Sequence, residues 1–297
     1  MLRFGVIGLS EGNGHPYSWS AICNGYDVDH MENCGFPVIP RYLEEQDWSA
    51  AQLPGVRVTH VWTQDRRLSE QVAICSRIEH IVDRPEQMLG HIDALLLARD
   101  DAENHLNFAR PYLEAGVPVY VDKPASLSVS ALLALYALER RPGQIFSCSA
   151  LRYAAELQPN LRQQETIGSV RVIQATTPKD WDRYAIHIID PVLNMIGFDS
   201  LVRKQYGAGL STGGRVLGFS SGSKTNVQLT ALGPSVQGGI TLRVHGENGS
   251  LVLEFRDTFN AFRTTLRHFR DRVETEDKSS TLPFNLKAVE ILEMGRA

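Results

Sequence analysis

Short apolar runs alternate with helical segments through the first 149 residues, and that rhythm leaves few architectures open. Residues 3–8, Val56–Trp62, Ile92–Ala98, Val117–Val121 and Ile145–Ser149 read as strands. Ser18–Asn24, the stretch around Ser69–Ala73, Glu103–Ala115 and Ser128–Glu139 read as helices. Each helix carries the chain back across a sheet face so that the next strand starts in the same direction, which predicts a doubly wound parallel sheet. After residue 150 the texture changes. Strand-like runs at Val170–Thr176, Leu201–Tyr206, Val216–Ser221, Asn226–Leu232, Ile240–Val244 and Leu251–Phe255 are separated mostly by Gly- or Ser-rich turns, with one helix, Tyr184–Met195, among them. Two helical stretches, Phe259–Arg272 and Leu286–Met294, close the chain. The second half is therefore expected to be an α+β domain with an open, mainly antiparallel sheet.

The expected domains are residues 1–149 and 150–297, and 297 residues at 43% hydrophobic composition can bury two such cores. The first domain carries an insertion at about 26–55, with three prolines and the aromatic anchors Tyr42 and Trp48. A connection of that length is either a functional lid or a structural insertion packed on the domain edge.

A net charge of −4 with scattered basic residues excludes nucleic acid and anionic membrane as main partners. The cysteines Cys23, Cys34, Cys75 and Cys148 show neither CxxC nor zinc spacing, so no metal site is expected and the thiols are read as reduced. The first strand begins at Leu2 or Arg3, leaving no room for a signal peptide, and no apolar run reaches the roughly 18 residues of a membrane helix. The expected compartment is the cytoplasm.

A glycine-rich turn, Gly8-Leu9-Ser10-Glu11-Gly12-Asn13-Gly14-His15, joins the first strand to the first helix. Glycines let backbone approach a pyrophosphate, and a helix N-terminus adds free N–H groups and a positive dipole end, so the first domain reads as a Rossmann-type dinucleotide fold. The spacing is not G-x-G-x-x-G: Ser10 stands where the second glycine would, and Glu11 must point away from a phosphate. The second strand exits into Thr63-Gln64-Asp65-Arg66-Arg67. Asp65 suits the ribose hydroxyls of NAD, whereas Thr63 and Arg66 suit the 2′-phosphate of NADP, so both cofactors stay open.

The fourth strand runs out at Tyr120-Val121-Asp122-Lys123-Pro124. In an open parallel sheet ligands bind outside the carboxyl ends of strands, and a following proline holds Lys123 extended there. In the second half, Asp180-Trp181-Asp182-Arg183-Tyr184-Ala185-Ile186-His187-Ile188-Ile189-Asp190 places Arg183, His187 and Asp190 along one face of a helix. Beside a dinucleotide domain with Lys123, His187 becomes a candidate proton carrier.

With these motifs the chain resembles, over nearly its whole length, the glucose–fructose oxidoreductase, inositol dehydrogenase and MocA family. The family's Glu-Lys-Pro is similar to Asp122-Lys123-Pro124, and its Asp-x-x-x-His-x-x-Asp helix to Arg183-x-x-x-His187-x-x-Asp190. Ser149-Ala150-Leu151-Arg152-Tyr153 resembles the segment leaving the Rossmann domain, and Gly246–Leu251 a turn of the C-terminal sheet. Ala98-Arg99-Asp100-Asp101 with Asn104 and His105 resembles a Thr-Pro-Asn-His-type loop beside the nicotinamide. The Ala98–His105 and Gly8–Trp19 loops are also similar to the branch found among surface-polysaccharide and sialic-acid-like sugar genes. The departures are Arg183 in place of an acid, the altered glycine turn, and the missing proline near Asp100.

The resemblance implies an NAD(P)-dependent oxidoreductase acting on a CH–OH group of a sugar, sugar nucleotide or polyol. It assigns Lys123, His187 and Asp190 to catalysis: His187 as base, Lys123 as electrostatic stabiliser of the alkoxide, Asp190 or Asp182 as the group orienting His187. Cofactor contacts are expected from Gly8, Ser10, Gly12, Asn13, Gly14, His15, Thr63, Asp65, Arg66, Ala98, Arg99, Asp100, His105, Asp122 and Lys123. Substrate contacts are expected from Lys123, Arg152, Tyr153, Trp181, Asp182, Arg183 and His187, with Arg183 suited to a carboxylate or phosphate. The alternatives are a member that recycles bound NAD, epimerase-like or glycosidase-like, and a non-catalytic sugar or nucleotide sensor. An open sheet face further implies a homodimer or homotetramer assembled through the C-terminal sheet.

Overall fold

The computed structural model describes every residue except Ser200, Ser223 and Ala297, the last of which closes the second expected domain. The chain forms two compact units. The first comprises residues 1–125, 133–147 and 262–281, and the second comprises 126–132, 148–261 and 282–297.

The first unit contains β1 (Leu2–Ile7), α1 (His15–Asn24), α2 (Val28–Met31), α3 (Val38–Glu44), α4 (Trp48–Ala51), β2 (Val56–Trp62), α5 (Arg66–Cys75) and β3 (His80–Ile81). It continues through β4 (Ala94–Leu97), α6 (His105–Glu114), β5 (Val119–Val121), part of α7 (Val129–Tyr136) and β6 (Ile145–Phe146). All six strands are parallel, in the order β3-β2-β1-β4-β5-β6. This is the doubly wound order of dinucleotide folds, and the direction of winding reverses between β1 and β4, where such sheets open a binding crevice. The two-residue β3 carries too little pattern to be read from sequence.

A parallel sheet must be covered on both faces. Part of that cover comes from a distant stretch of the chain. The helix α11 (Thr258–Glu274) contributes its residues from Phe262 onward to this unit. Its Phe269 packs 5.3 Å from the Phe4 ring and 5.6 Å from the Tyr120 ring. The expected boundary at residue 149 places this helix in the second domain; the need to bury Phe4 and Tyr120 draws its residues from Phe262 onward into the first.

The insertion between α1 and β2 is helical. Met31, Ile39 and Leu43 are buried, and Phe36 tilts against Tyr17 of α1 at 5.8 Å. A Cβ on Gly14 would lie 2.6 Å from Ile39 Cδ1 and 2.9 Å from Phe36. That glycine is thus required by the insertion packed behind the turn.

The second unit contains α8 (Leu161–Ile167), β7 (Val170–Thr177), α9 (Trp181–Tyr184), α10 (Ile186–Ile196), β8 (Val202–Gly209), β9 (Arg215–Ser221), β10 (Asn226–Ala231), β11 (Thr241–Gly246), β12 (Ser250–Glu254) and α12 (Leu282–Arg296). The sheet order is β12-β11-β7-β10-β9-β8. Only β7 and β10 pair in parallel, so the sheet is mainly antiparallel as expected. Ile173, Ala175, Leu217, Phe219, Leu229, Leu242 and Val244 form its buried face, while Arg171, Gln174 and most of β8 are exposed. The alternation along β7 states the reason: Ile173, Ala175 and Thr177 turn inward at every second residue, and Gln174 between them turns outward.

Candidate functional site

In the first unit the loops after β1, β4 and β5 meet at the crevice end of the sheet. Ser10 Oγ donates to Asp100 Oδ1 at 2.6 Å, and Asp100 N–H returns a bond to Ser10 Oγ at 3.0 Å. These two bonds span the reversal between β1 and β4. Lys123 follows β5, is 6% exposed, and holds its Nζ 3.4 Å from Asp100 Oδ2. Asp122 is fully buried: Oδ1 accepts from Lys123 N–H at 2.7 Å, while Oδ2 accepts from Asn13 Nδ2 at 2.8 Å and lies 2.6 Å from His15 Nδ1. Burial alone would raise this carboxyl, but the neighbouring His15 ring, Lys123 and Asn13 outweigh it and hold Asp122 well below the ordinary carboxylate range. The His15 ring stacks on Trp19 at 4.7 Å, and Trp19 on Tyr120 at 4.6 Å.

The turn fits a dinucleotide pyrophosphate, though by a route the sequence did not suggest. In the first turn of α1, His15 N–H is taken by Asn13 Oδ1, Pro16 has no N–H, and Tyr17 N–H bonds Gly14 O. The N–H groups of Ser10, Glu11, Gly12 and Gly14, in contrast, find no acceptor among the described residues. Gly12 has φ +77° and open space where a Cβ would stand. A run of N–H donors left without acceptors just before a helix is an arrangement that can receive a phosphate. Gly8 serves packing, since a Cβ there would lie 2.3 Å from Pro16 Cγ.

Several expected cofactor contacts are committed elsewhere. Thr63 is buried, its Oγ1 donating to Asp65 O at 2.6 Å, so it is not available to a 2′-phosphate. Arg66 pairs with Glu70 and with Asp83. Asp65 differs from these: its Oδ1 caps α5 by accepting from Arg67 N–H at 2.8 Å, and its Oδ2 has no hydrogen-bond partner among the described residues. Arg99 binds Asp101 at 2.7 Å and reaches Leu9 O and Gln64 Oε1, each at 3.1 Å. His105 is buried between Arg99 O and Ala125 O, a loop brace in place of the expected nicotinamide contact. Gln64, whose Oε1 also accepts from Leu9 N–H at 3.0 Å, was missed because nothing local in sequence ties it to residue 9.

In the second unit a separate polar cluster surrounds His187 on α10. Asp190 Oδ2 accepts from Ser149 N–H at 2.7 Å and from Arg152 Nη2 at 2.9 Å, while its Oδ1 has no hydrogen-bond partner. Full burial pushes the Asp190 carboxyl up from its ordinary value, opposed by the Arg152 guanidinium and the Ser149 N–H. Asp190 therefore does not orient His187. Ser149 does, with Oγ 2.7 Å from His187 Nδ1. The two residues stand 38 positions apart, and no motif announces the pair. Tyr184 meets the His187 ring edge-on at 5.4 Å.

Three expected substrate contacts are structural. Arg152 is buried, bound to Asp190 and Asn285, with its guanidinium 3.6 Å over the Phe284 ring. Trp181 is buried and donates Nε1–H to Leu292 O, so it offers no face to a sugar. Asp182 pairs with Arg296. Tyr153 is half-buried and Arg183 is exposed on α9.

A further polar cavity of about 600 Å³ is lined by residues that include Arg3, His60, His80, Asp83 and His91, none of them from the loops after β1, β4 or β5. Among the described residues no group of three or more His, Cys, Asp or Glu could hold a metal ion. No helix among them is long and apolar enough to cross a membrane.

Residues 34–149 match the profile of a family described as an oxidoreductase family with an NAD-binding Rossmann fold. That profile is the Gfo/Idh/MocA model, and the match covers the stretch that forms β2 to β6 of the parallel sheet. The family match begins after the Gly8–Gly14 turn, where the glycine spacing departs from the dinucleotide fingerprint. Among solved structures, scyllo-inositol dehydrogenase from Lactobacillus casei has a TM-score of 0.74 at 15% identity, covering 100% of this chain and 95% of that one. Myo-inositol 2-dehydrogenase from Lactobacillus plantarum has 0.74 at 15%, covering 99% and 96%. UDP-N-acetylglucosamine 3-dehydrogenase GnnA from Acidithiobacillus ferrooxidans has 0.69 at 15%, covering 99% and 96%. At these identities the likeness to these dehydrogenases is one of fold. A search of curated proteins finds no match.

Proposed function

We propose that this chain transfers a hydride between NAD and a secondary alcohol or ketone of a sugar, sugar nucleotide or related polyol. The observation that carries the reading is Lys123: a buried lysine at the crevice end of an NAD-binding fold, beside a turn of unpartnered N–H groups. Solved proteins of this fold are by name dehydrogenases of inositols and of a UDP-sugar, which supports a polyhydroxylated substrate.

When bound, NAD supplies or takes up the hydride. The N–H groups of Ser10, Glu11, Gly12 and Gly14 would hold its pyrophosphate, and Asp65 a ribose hydroxyl. In the first unit, Lys123 stabilises negative charge that develops on a substrate oxygen; in the second, His187 is the candidate proton-handling group. Arg183, exposed on α9, is the candidate for an anionic substituent. The test is a panel of inositols, sugars and sugar nucleotides with NAD or NADH, read at the nicotinamide absorbance. Change with one class supports the reading; binding without any change would favour a sensor.

The cytoplasm is the proposed compartment, supported by four buried free cysteines. The proposed assembly is a homodimer or homotetramer through the second unit's sheet, where Tyr206 and Val252 are 47% and 64% exposed. A monomer in sedimentation at micromolar concentration would contradict it.

A further inference from the structure

His187 is held by a hydroxyl where a carboxylate was expected, and the two do opposite things to an imidazole. A carboxylate can only accept, so it fixes the proton on Nδ1 and leaves Nε2 free to act as a base. A serine hydroxyl has one proton to give and two lone pairs with which to accept. Which role Ser149 plays is decided by its other bond.

Ser149 Oγ accepts the Leu151 N–H at 3.2 Å and stands 2.7 Å from His187 Nδ1. Ser149 is fully buried, and no third group among the described residues bonds its Oγ. If Nδ1 carried the proton, Oγ would accept twice and the hydroxyl hydrogen would be buried without an acceptor. If Nδ1 is bare, the hydroxyl donates to it and every polar atom of Ser149 is satisfied. Orphaning a buried donor disfavours the first arrangement by a factor on the order of ten or more. The geometry is anchored from behind, since Asp190 Oδ2 holds the Ser149 N–H at 2.7 Å and is itself bound by Arg152.

We infer that Ser149 is a positioning residue that fixes neutral His187 in the Nε2–H form, so that His187 acts on a substrate oxygen as a hydrogen-bond donor and not as the base. This rests on the proposed oxidoreductase reading for its chemical meaning. A donor on that oxygen polarises a ketone and stabilises an alkoxide. Asp190, the acid expected to orient the histidine, instead fixes the Ser149 backbone.

The experiment reads the tautomer directly, without substrate or cofactor. Protein labelled with ¹⁵N at histidine is examined near neutral pH by long-range ¹H–¹⁵N correlation, and His187 is assigned by the signals lost in His187→Gln. The expected result is a protonated Nε2 and a bare Nδ1. Ser149→Thr, which keeps the hydroxyl, should retain that pattern, and Ser149→Ala should move the ring toward a mixture of the two forms. A protonated Nδ1 in the wild-type protein would overturn the inference, as would an unchanged pattern in Ser149→Ala. Failure to turn over any substrate bears on the proposed function and leaves the tautomer result intact.

Discussion

His15 Nδ1 lies 2.6 Å from Asp122 Oδ2, tying the first residue of α1 to the residue that precedes Lys123. Through this pair the turn that would receive a pyrophosphate and the lysine at the end of β5 are held as one piece. Asn13 completes the link, capping His15 N–H with Oδ1 and donating to Asp122 with Nδ2.

Removing the buried carboxylate should therefore be costly. Asp122→Ala is expected to lower stability by about 3–5 kcal/mol, the range for breaking one side of a buried pair. Because the folded protein holds this carboxyl below its ordinary 3.8, its contribution is present above that value and lost as pH falls beneath it. Urea midpoints measured from pH 5 to 3 should drop steeply for wild type and less steeply for Asp122→Asn. Parallel curves would contradict this.

Lys123→Ala should cut turnover by a factor on the order of a hundred or more, as for loss of an electrostatic or acid–base group. Far-ultraviolet dichroism is the check that the variant folds. Turnover like wild type would remove Lys123 from the chemistry.

Cofactor preference follows from the β2 exit. Asp65 remains there as an acid, Thr63 is buried, and Arg66 faces Glu70 and Asp83. A 2′-phosphate would stand beside the Asp65 carboxylate, with Arg66 already held by Glu70 and Asp83, so NADH is expected to bind about tenfold or more tighter than NADPH, the scale of one unfavourable charge contact. Calorimetry on nucleotide-free protein measures it, and equal affinities would refute it.

Arg183→Leu should raise KM for an anionic substrate while leaving kcat nearly unchanged, because an exposed arginine on α9 contributes binding common to ground and transition states. Steady-state kinetics with charged and neutral substrates separate the two constants. An unchanged KM for the charged substrate would exclude the anion role.

His60 is lowered from 6.5 to about 4 by burial, then by His80 and His91, whose rings stand 4.7 and 5.8 Å away. The unfolded chain takes up this proton before the folded one does, so stability falls as pH drops from 6.5 toward 4. Replacing His60 by Asn should flatten the urea-midpoint profile across that window; the same slope in both proteins would contradict it.

The fold was legible because its signals are local and periodic. Val56–Trp62 and Val170–Thr177 carry their apolar residues at strand spacing, and the glycine turn sits between a strand and a helix as sequence alone places it. The place of Lys123 just past β5 was legible because a strand end followed by proline is a local event. The partners of the candidate residues were far less legible. Asp190 is expected to orient the catalytic histidine and Arg152 to touch substrate, yet they bind each other. Trp181 was assigned to a sugar and is buried against Gly295, where a Cβ would lie 2.0 Å from its ring. Residue types show what a side chain can do, and its neighbours decide what is left for it to do.

Sequence by itself determined the parallel sheet, the antiparallel sheet after it, and the positions of Lys123 and His187, because backbone periodicity and strand ends are written in adjacent residues. Tertiary structure alone decided that α11 covers the first sheet, that the N–H donors come from the turn and not from the helix, and that Ser149 sets the His187 ring. Those outcomes depend on contacts between residues tens of positions apart, where a buried hydrogen bond or an uncovered apolar face selects the partner, and no stretch of adjacent residues records that choice.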